Sequence, residues 1–214
     1  MIKRPRILIA DDHTLVAELC KRLLETEFDV VGMVSDGRAL LRAALELKPD
    51  AIVLDIAMPV LNGLDAGRKL KEMLPAVKLV YLTMSTDMEV AAEAFERGAS
   101  GYLLKTCASA EMVLAVREVL RGKTFMSQGI SRDAIECLRW QHKKLVTEEE
   151  RLTGRQREVL QLLAEGKAMK EVGAVLNMST RTVAYHKYRM MEVLGARSSA
   201  ELVKYAVRNH MVAA

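Results

Sequence analysis

Cysteine is scarce in this sequence, and the little there is forms no pattern. Cys20, Cys107 and Cys137 lie 87 and 30 residues apart, which fits no zinc-site spacing and leaves one thiol unpaired in any disulfide scheme. The three read as reduced packing residues of a cytoplasmic protein. No apolar run approaches the length that spans a bilayer. The N-terminal run, residues 7–10, is too short for a signal peptide and leads straight into Asp11 and Asp12. His13, His142, His186 and His210 show neither triad nor metal spacing, and His13 reads as shaping the loop beside the acidic pair. Low-complexity tracts and internal repeats are absent, as is any composition typical of disordered or fibrous chains. These absences set aside a membrane span, a disulfide scaffold, a zinc module and a repeat array.

What remains is a chain of 214 residues, half of them hydrophobic, enough for two modest cores. Its charge is unevenly spread. Residues 1–130 hold 17 Lys and Arg against 18 Asp and Glu, residues 131–150 hold 4 against 5, and residues 151–214 hold 11 against 5, so the net charges are −1, −1 and +6. A basic C-terminal segment behind a nearly neutral first half points to a polyanion that meets only the second part.

Short apolar runs at 6–10, 30–34, 51–55, 78–82 and 101–104 alternate with segments whose apolar residues recur every three or four positions. Such runs are strands buried on both faces, and five of them alternating with helices predict a doubly wound, five-stranded parallel α/β sheet. The alternation stops near residue 125. A polar linker follows over 126–150, partly helical around 133–142 and ending in three glutamates at 148–150. Four helical patterns then occupy about 155–164, 168–176, 180–193 and 198–209, punctuated by Gly154, Gly166, Asn177 and Gly195.

In a doubly wound sheet, functional groups collect at the carboxyl edge of the strands. Asp11 and Asp12 follow the first strand and Asp55 closes the third. Right-handed connections make those two strands neighbours, so three anions converge where only a cation relieves their repulsion. Oxygen ligands of this kind suit Mg²⁺, with Asp55 as nucleophile. Thr83 and Lys105 end the fourth and fifth strands on the same edge and supply a hydroxyl and an ammonium for phosphoryl oxygens. This reading requires the carboxylate at 55 to be near positions 11 and 12 and open to solvent.

The strings Ile9-Ala10-Asp11-Asp12-His13, Leu54-Asp55-Ile56-Ala57-Met58-Pro59 with Gly63, Leu82-Thr83 and Gly101-Tyr102-Leu103-Leu104-Lys105 resemble, in order and spacing, the receiver domains of response regulators, over about residues 5–122. The resemblance implies a flavodoxin-like receiver in which Asp55 takes a phosphoryl group from a sensor histidine kinase. It implies that Asp11, Asp12, Asp55 and the backbone carbonyl of Ala57 hold Mg²⁺, that Thr83 moves toward the phosphoryl group, and that Tyr102 changes rotamer. The new anion then biases a bistable surface. Ala57 and Ser85 stand two residues after Asp55 and Thr83, where the family flanks the hydrolytic water, and neither carries an acid or amide. Phosphoryl lifetime is therefore expected not to depend on a side-chain base at these positions.

In the basic segment, Asn177-Met178-Ser179 forms a turn between two helical patterns, with Ser179 as the N-cap of the second. Val183, Met190 and Leu194 share one face of that helix, and Arg181, Ala184, Tyr185, Tyr188, Arg189 and Glu192 point elsewhere, as on a helix that reads a major groove. Residues 152–160, Ala164-Glu165-Gly166, Lys170-Glu171-Val172 and 178–183 with His186 resemble the LuxR-type helix-turn-helix, over about 150–212. With a receiver ahead of it, this is the NarL/FixJ pattern. It implies receiver, linker and DNA-binding domain over 1–125, 126–150 and 151–214, with phosphorylation-linked homodimerisation and double-stranded DNA as partner. Lys170, Arg181, Thr182, Ala184, Tyr185, Lys187, Tyr188 and Arg189 are placed at the DNA, and Leu202, Val203, Ala206 and Val207 at a core or dimer seam. Two positions depart from the family: Ala184 stands where Lys is usual, and Met169 where Asn is common.

Two rival readings compete with this one. A phosphatase of the haloacid dehalogenase kind wants Asp-x-Asp after the first strand, whereas here the acids are adjacent, so turnover of an external substrate is not expected. Gly122-Lys123-Thr124 mimics the tail of a phosphate-binding loop, yet position 117 is Arg and the tripeptide follows a helix. A receiver-based protein-interaction module, its altered helix-turn-helix binding no specific DNA, is the alternative to a transcription regulator.

Overall fold

The computed structural model describes residues 4–142, without the side chains of 137 and 139–142, and residues 152–212. The acidic run at 148–150 and the side chains of Cys137 and His142 lie outside the described residues. The chain forms two compact units, Met1–Gln141 and His142–Ala214.

The first unit is a parallel sheet: β1 (Arg6–Ala10), β2 (Asp29–Val34), β3 (Ala51–Asp55), β4 (Lys78–Thr83), β5 (Gly101–Leu104) and β6 (Phe125–Met126), in the order β2-β1-β3-β4-β5-β6. Between them run α1 (Thr14–Leu24), α2 (Gly37–Leu47), α3 (Gly63–Met73), α4 (Met88–Glu96) and α5 (Ala108–Leu120), and α6 (Arg132–His142) follows β6. The period of two in the strands divides the core. Leu8, Ile52 and Leu54 face one layer, while Ile7, Ile9, Ala51 and Val53 face the other. Every residue of β3 is buried, as the unbroken apolar run requires.

A sixth strand was not expected. Two residues are too short for a periodic signal, and tertiary hydrogen bonds define this one: Phe125 N donates to Ser100 O (3.1 Å) and Ser127 N to Tyr102 O (3.0 Å). Ser127 Oγ accepts from Leu104 N at 3.1 Å and donates to Glu111. The segment read as a linker thus carries β6 and α6. Ile130 and Ile135 are buried in the core of the first unit with Leu138 packed against it, because their apolar side chains continue one layer of the sheet.

The second unit holds α7 (Gly154–Ala164), α8 (Met169–Leu176), α9 (Thr180–Leu194) and α10 (Ser199–Arg208), within a residue or so of the predicted spans. Thr153 and Gln156 form a capping box on α7, Ser179 caps α9 and Ser198 caps α10. Asn177 ends α8 in the left-handed region at φ 53°. A Cβ at Gly173 would stand 2.6 Å from Met178 O, so only glycine lets the turn fold back onto α8. Val159, Leu160, Val172, Leu176, Val183, Met190, Leu202 and Ala206 form the buried interior. Among the described residues no helix is long and apolar enough to cross a membrane.

Candidate phosphoryl-acceptor pocket and DNA-reading helix

The strand order reverses between β1 and β3, and the acids gather at that point. One ligand atom each of Asp11, Asp12, His13 and Asp55 lies within 4.8 Å of the others. Lys105 closes the pocket, its Nζ 2.8 Å from Asp11 Oδ2 and 2.8 Å from Asp55 Oδ2. Asp55 Oδ1 accepts from Ala57 N at 3.3 Å. The loop beyond is held by glycine: a Cβ at Gly63 would fall 2.0 Å from the Asp55 carbonyl oxygen, so α3 can begin this close to the acid only without a side chain there.

The expected proximity of positions 11, 12 and 55 is present, but the expected openness of Asp55 is corrected. Asp55 is 2% exposed, because the Lys105 ammonium, itself the counter-ion of two carboxylates, lies against its outer oxygen. Exposed Asp12 and His13 border the cluster. Burial raises the Asp55 pKa, an effect that the hydrogen bond and charge of Lys105 oppose. For Lys105, burial works against the charged form, yet its pairing with Asp11 and Asp55 outweighs that and raises the pKa.

Thr83 and Tyr102, read as switch residues, meet at one neighbour that sequence reasoning assigned no such part. Thr83 Oγ1 accepts from Ser85 N at 3.1 Å, and Tyr102 OH donates to Ser85 O at 3.1 Å. Thr83 and Tyr102 are both buried, and burial pushes the phenol's pKa up strongly. Ser85 was visible in the sequence only as the position two after Thr83. Cys20 and Cys107 carry free thiols, and burial pushes that of Cys20 up to about 11, as befits a packing residue.

Acids at a strand-order reversal and a lysine just past the end of β5 are the architecture of a receiver. Residues 7–117 match the family described as response regulator receiver domain, and residues 150–206 match the bacterial regulatory proteins of the luxR family. The chain belongs to the response regulators of the NarL/FixJ type. It is 34% identical to the transcriptional regulatory protein LiaR of Bacillus subtilis over 209 residues, covering 97% of this chain and 99% of LiaR. It is 32% identical to the oxygen regulatory protein NreC of Staphylococcus haemolyticus over 214 residues, covering 97% and 99%. A solved structure of the RcsB response regulator of Salmonella typhimurium is similar with a TM-score of 0.56 at 25% identity, covering 97% of this chain and 100% of that one. The family is one of transcriptional response regulators rather than of enzymes.

In this response regulator α9 buries Val183 and Met190 and turns Arg181, Thr182, Tyr185, Tyr188 and Arg189 outward. Tyr185 and Tyr188 are 65% and 64% exposed, a large apolar display for a solvated helix. Lys170 is exposed on α8. Ala184 and Lys187 are half-buried, and Lys187 Nζ lies 5.9 Å from the centroid of the Tyr188 ring. Arg189 is paired with Glu192 at 2.6 Å. Of the α10 candidates, Leu202 and Ala206 belong to the interior, whereas Val203 is exposed and Val207 half-buried.

Proposed function

We propose that Asp55 accepts a phosphoryl group from the phosphohistidine of a sensor histidine kinase, and that the modification controls self-association and DNA binding by the second unit. The observation that carries this reading is the convergence of Asp11, Asp12 and Asp55 with Lys105 bridging Asp11 and Asp55. The Asp55 carboxylate oxygen attacks phosphorus, the new O–P bond forms as the N–P bond breaks, and the electron pair returns to the imidazole nitrogen. Because Asp55 is closed to solvent at rest, this reading requires Lys105 to leave the Asp55 oxygen first, uncovering the carboxylate, and then to hold a phosphoryl oxygen. Asp11 is buried and its Oδ2 already meets one cation, the Lys105 ammonium at 2.8 Å, and oxygen donors gathered this closely, all within 4.8 Å, suit a second. Asp11, Asp12, Asp55 and the Ala57 carbonyl would hold Mg²⁺, which when bound supplies positive charge against the transferring group. Thr83 donates its hydroxyl to the acyl phosphate, and because Ser85 links Thr83 to Tyr102, the displacement reaches the start of α4.

Lys170, Arg181, Thr182, Tyr185, Lys187, Tyr188 and Arg189 contact DNA around α9, while Ala184 contributes close approach without a charge. The solved state of RcsB as two dimers bound to two parallel DNAs supports a dimeric, DNA-bound form here. The test is treatment with a small-molecule phosphodonor and Mg²⁺, following mass, oligomeric state and gel shifts of genomic fragments. Wild type gains one phosphoryl group, self-associates and shifts discrete fragments; Asp55→Ala does none of these. Phosphorylation of the Asp55→Ala variant overturns the acceptor assignment. A smear on every fragment favours the interaction-module reading, for which the absent lysine at 184 is the motivating observation.

A further inference from the structure

Among the described residues, one side-chain donor of the pocket, His13, is not a carboxylate. His13 Nδ1 stands 2.9 Å from Asp12 Oδ1 and 3.3 Å from Asp11 Oδ1. Shaping of the loop does not need this imidazole. The backbone N of His13 donates to Asp11 Oδ1 at 2.8 Å, and although His13 is the N-cap of α1, its side chain makes no capping hydrogen bond. The ring is therefore surplus to the local fold, and at 63% exposure it turns at little cost. The two sides of the pocket are distinct: Lys105 occupies Oδ2 of Asp11 and Asp55, and the imidazole faces Oδ1 of Asp11 and Asp12.

Ligand atoms about 2.1 Å from one small divalent ion stand at most about 4.2 Å apart. The four donors, all within 4.8 Å, need to close by only about half an ångström. We infer that His13 is a metal ligand of this pocket, adding one nitrogen to its oxygens and favouring Mn²⁺ over Mg²⁺. Mg²⁺ is a hard ion that gains little from imidazole, while divalent first-row transition ions accept nitrogen readily. The bound ring is neutral, with its proton on Nε2 and the Nδ1 lone pair on the ion. The inference rests on the reading of Asp11, Asp12 and Asp55 as a cation pocket.

The experiment uses the full chain, unphosphorylated, titrated with MnCl₂ and with MgCl₂ in competition. Bound Mn²⁺ is read from the loss of the free-ion electron paramagnetic resonance signal, and its ligands from pulsed nitrogen hyperfine coupling. Wild type shows imidazole nitrogen coupling; His13→Ala loses it and binds Mn²⁺ roughly tenfold more weakly, with Mg²⁺ affinity changed less than about twofold. His13→Asn, which keeps a hydrogen-bonding group, fails to restore the coupling. Mn²⁺ binding that depends on Asp12 and Asp55 but shows no nitrogen coupling overturns the role of His13 alone. Equal loss of both ions in His13→Ala overturns the selectivity. No Mn²⁺ binding to wild type overturns the pocket reading as well.

Discussion

Lys105 shows how one side chain holds a site together. Its ammonium lies 2.8 Å from each of two buried carboxylates, and removing one member of such a buried group leaves uncompensated charge, at a cost of about 3–5 kcal/mol. Lys105→Met is therefore expected to lower the unfolding temperature of the first unit. Millimolar Mg²⁺ should recover more of that loss in the variant than it adds to wild type, a difference that thermal scans with and without the ion measure directly. His186 gives a pH prediction in the second unit. Burial, helped by the charge of Arg155, lowers its pKa below the ordinary histidine value, so the folded state favours the neutral ring. That contribution to stability is complete above the unfolded pKa of about 6.5 and is lost as pH falls below it. The melting temperature of the second unit should drop from pH 7.5 to 5.5, and His186→Gln should flatten the drop. An equal slope in the variant would assign it to other groups.

At the scale of elements, β6 is the instructive case. Ser127 joins three pieces: its N–H reaches Tyr102 O, its hydroxyl oxygen accepts from Leu104 N, and its hydroxyl hydrogen goes to Glu111 on α5. Ser127 is buried, so replacing it by Val strands the Leu104 amide and takes one donor from the Glu111 carboxylate. The expected loss is about 1–3 kcal/mol, read as a shift of the denaturation midpoint at constant m-value, and Ser127→Thr should restore most of it. The predicted strands and helices of the receiver were legible because their apolar runs are long and strictly periodic. The two residues of β6 and the burial of Ile135 on α6 were not, since a short polar-flanked segment has no periodicity of its own and joins the sheet only when a finished edge is there to receive it.

For the molecule as a whole, the separation of charge is the feature with measurable consequence. The net charge of +6 over residues 151–214, with exposed Lys170, Arg181 and Arg189 around α9, predicts DNA affinity that falls steeply with salt. Each cation that contacts a phosphate contributes about 0.9 to the logarithmic salt slope. Lys170→Ala should lower that slope by about one without changing which fragments are preferred, whereas Tyr185→Ala or Tyr188→Ala should change the preference among fragments. Binding isotherms at several salt concentrations separate the two outcomes. An unchanged slope for Lys170→Ala would take that residue off the DNA.

Residue order was enough to specify the doubly wound first unit, the helix-turn-helix second unit, and the edge on which Asp11, Asp12, Asp55, Thr83 and Lys105 stand. Strand order and strand ends follow from hydrophobic period and the handedness of connections, which are local or topological rules. The tertiary structure alone decided that Lys105 covers Asp55, that Ser85 joins Thr83 to Tyr102, that His13 stands among the acids, and that β6 and α6 belong to the first unit. Each of these depends on distances between side chains far apart in the chain or on the direction a short loop takes, and no periodicity in the sequence encodes them.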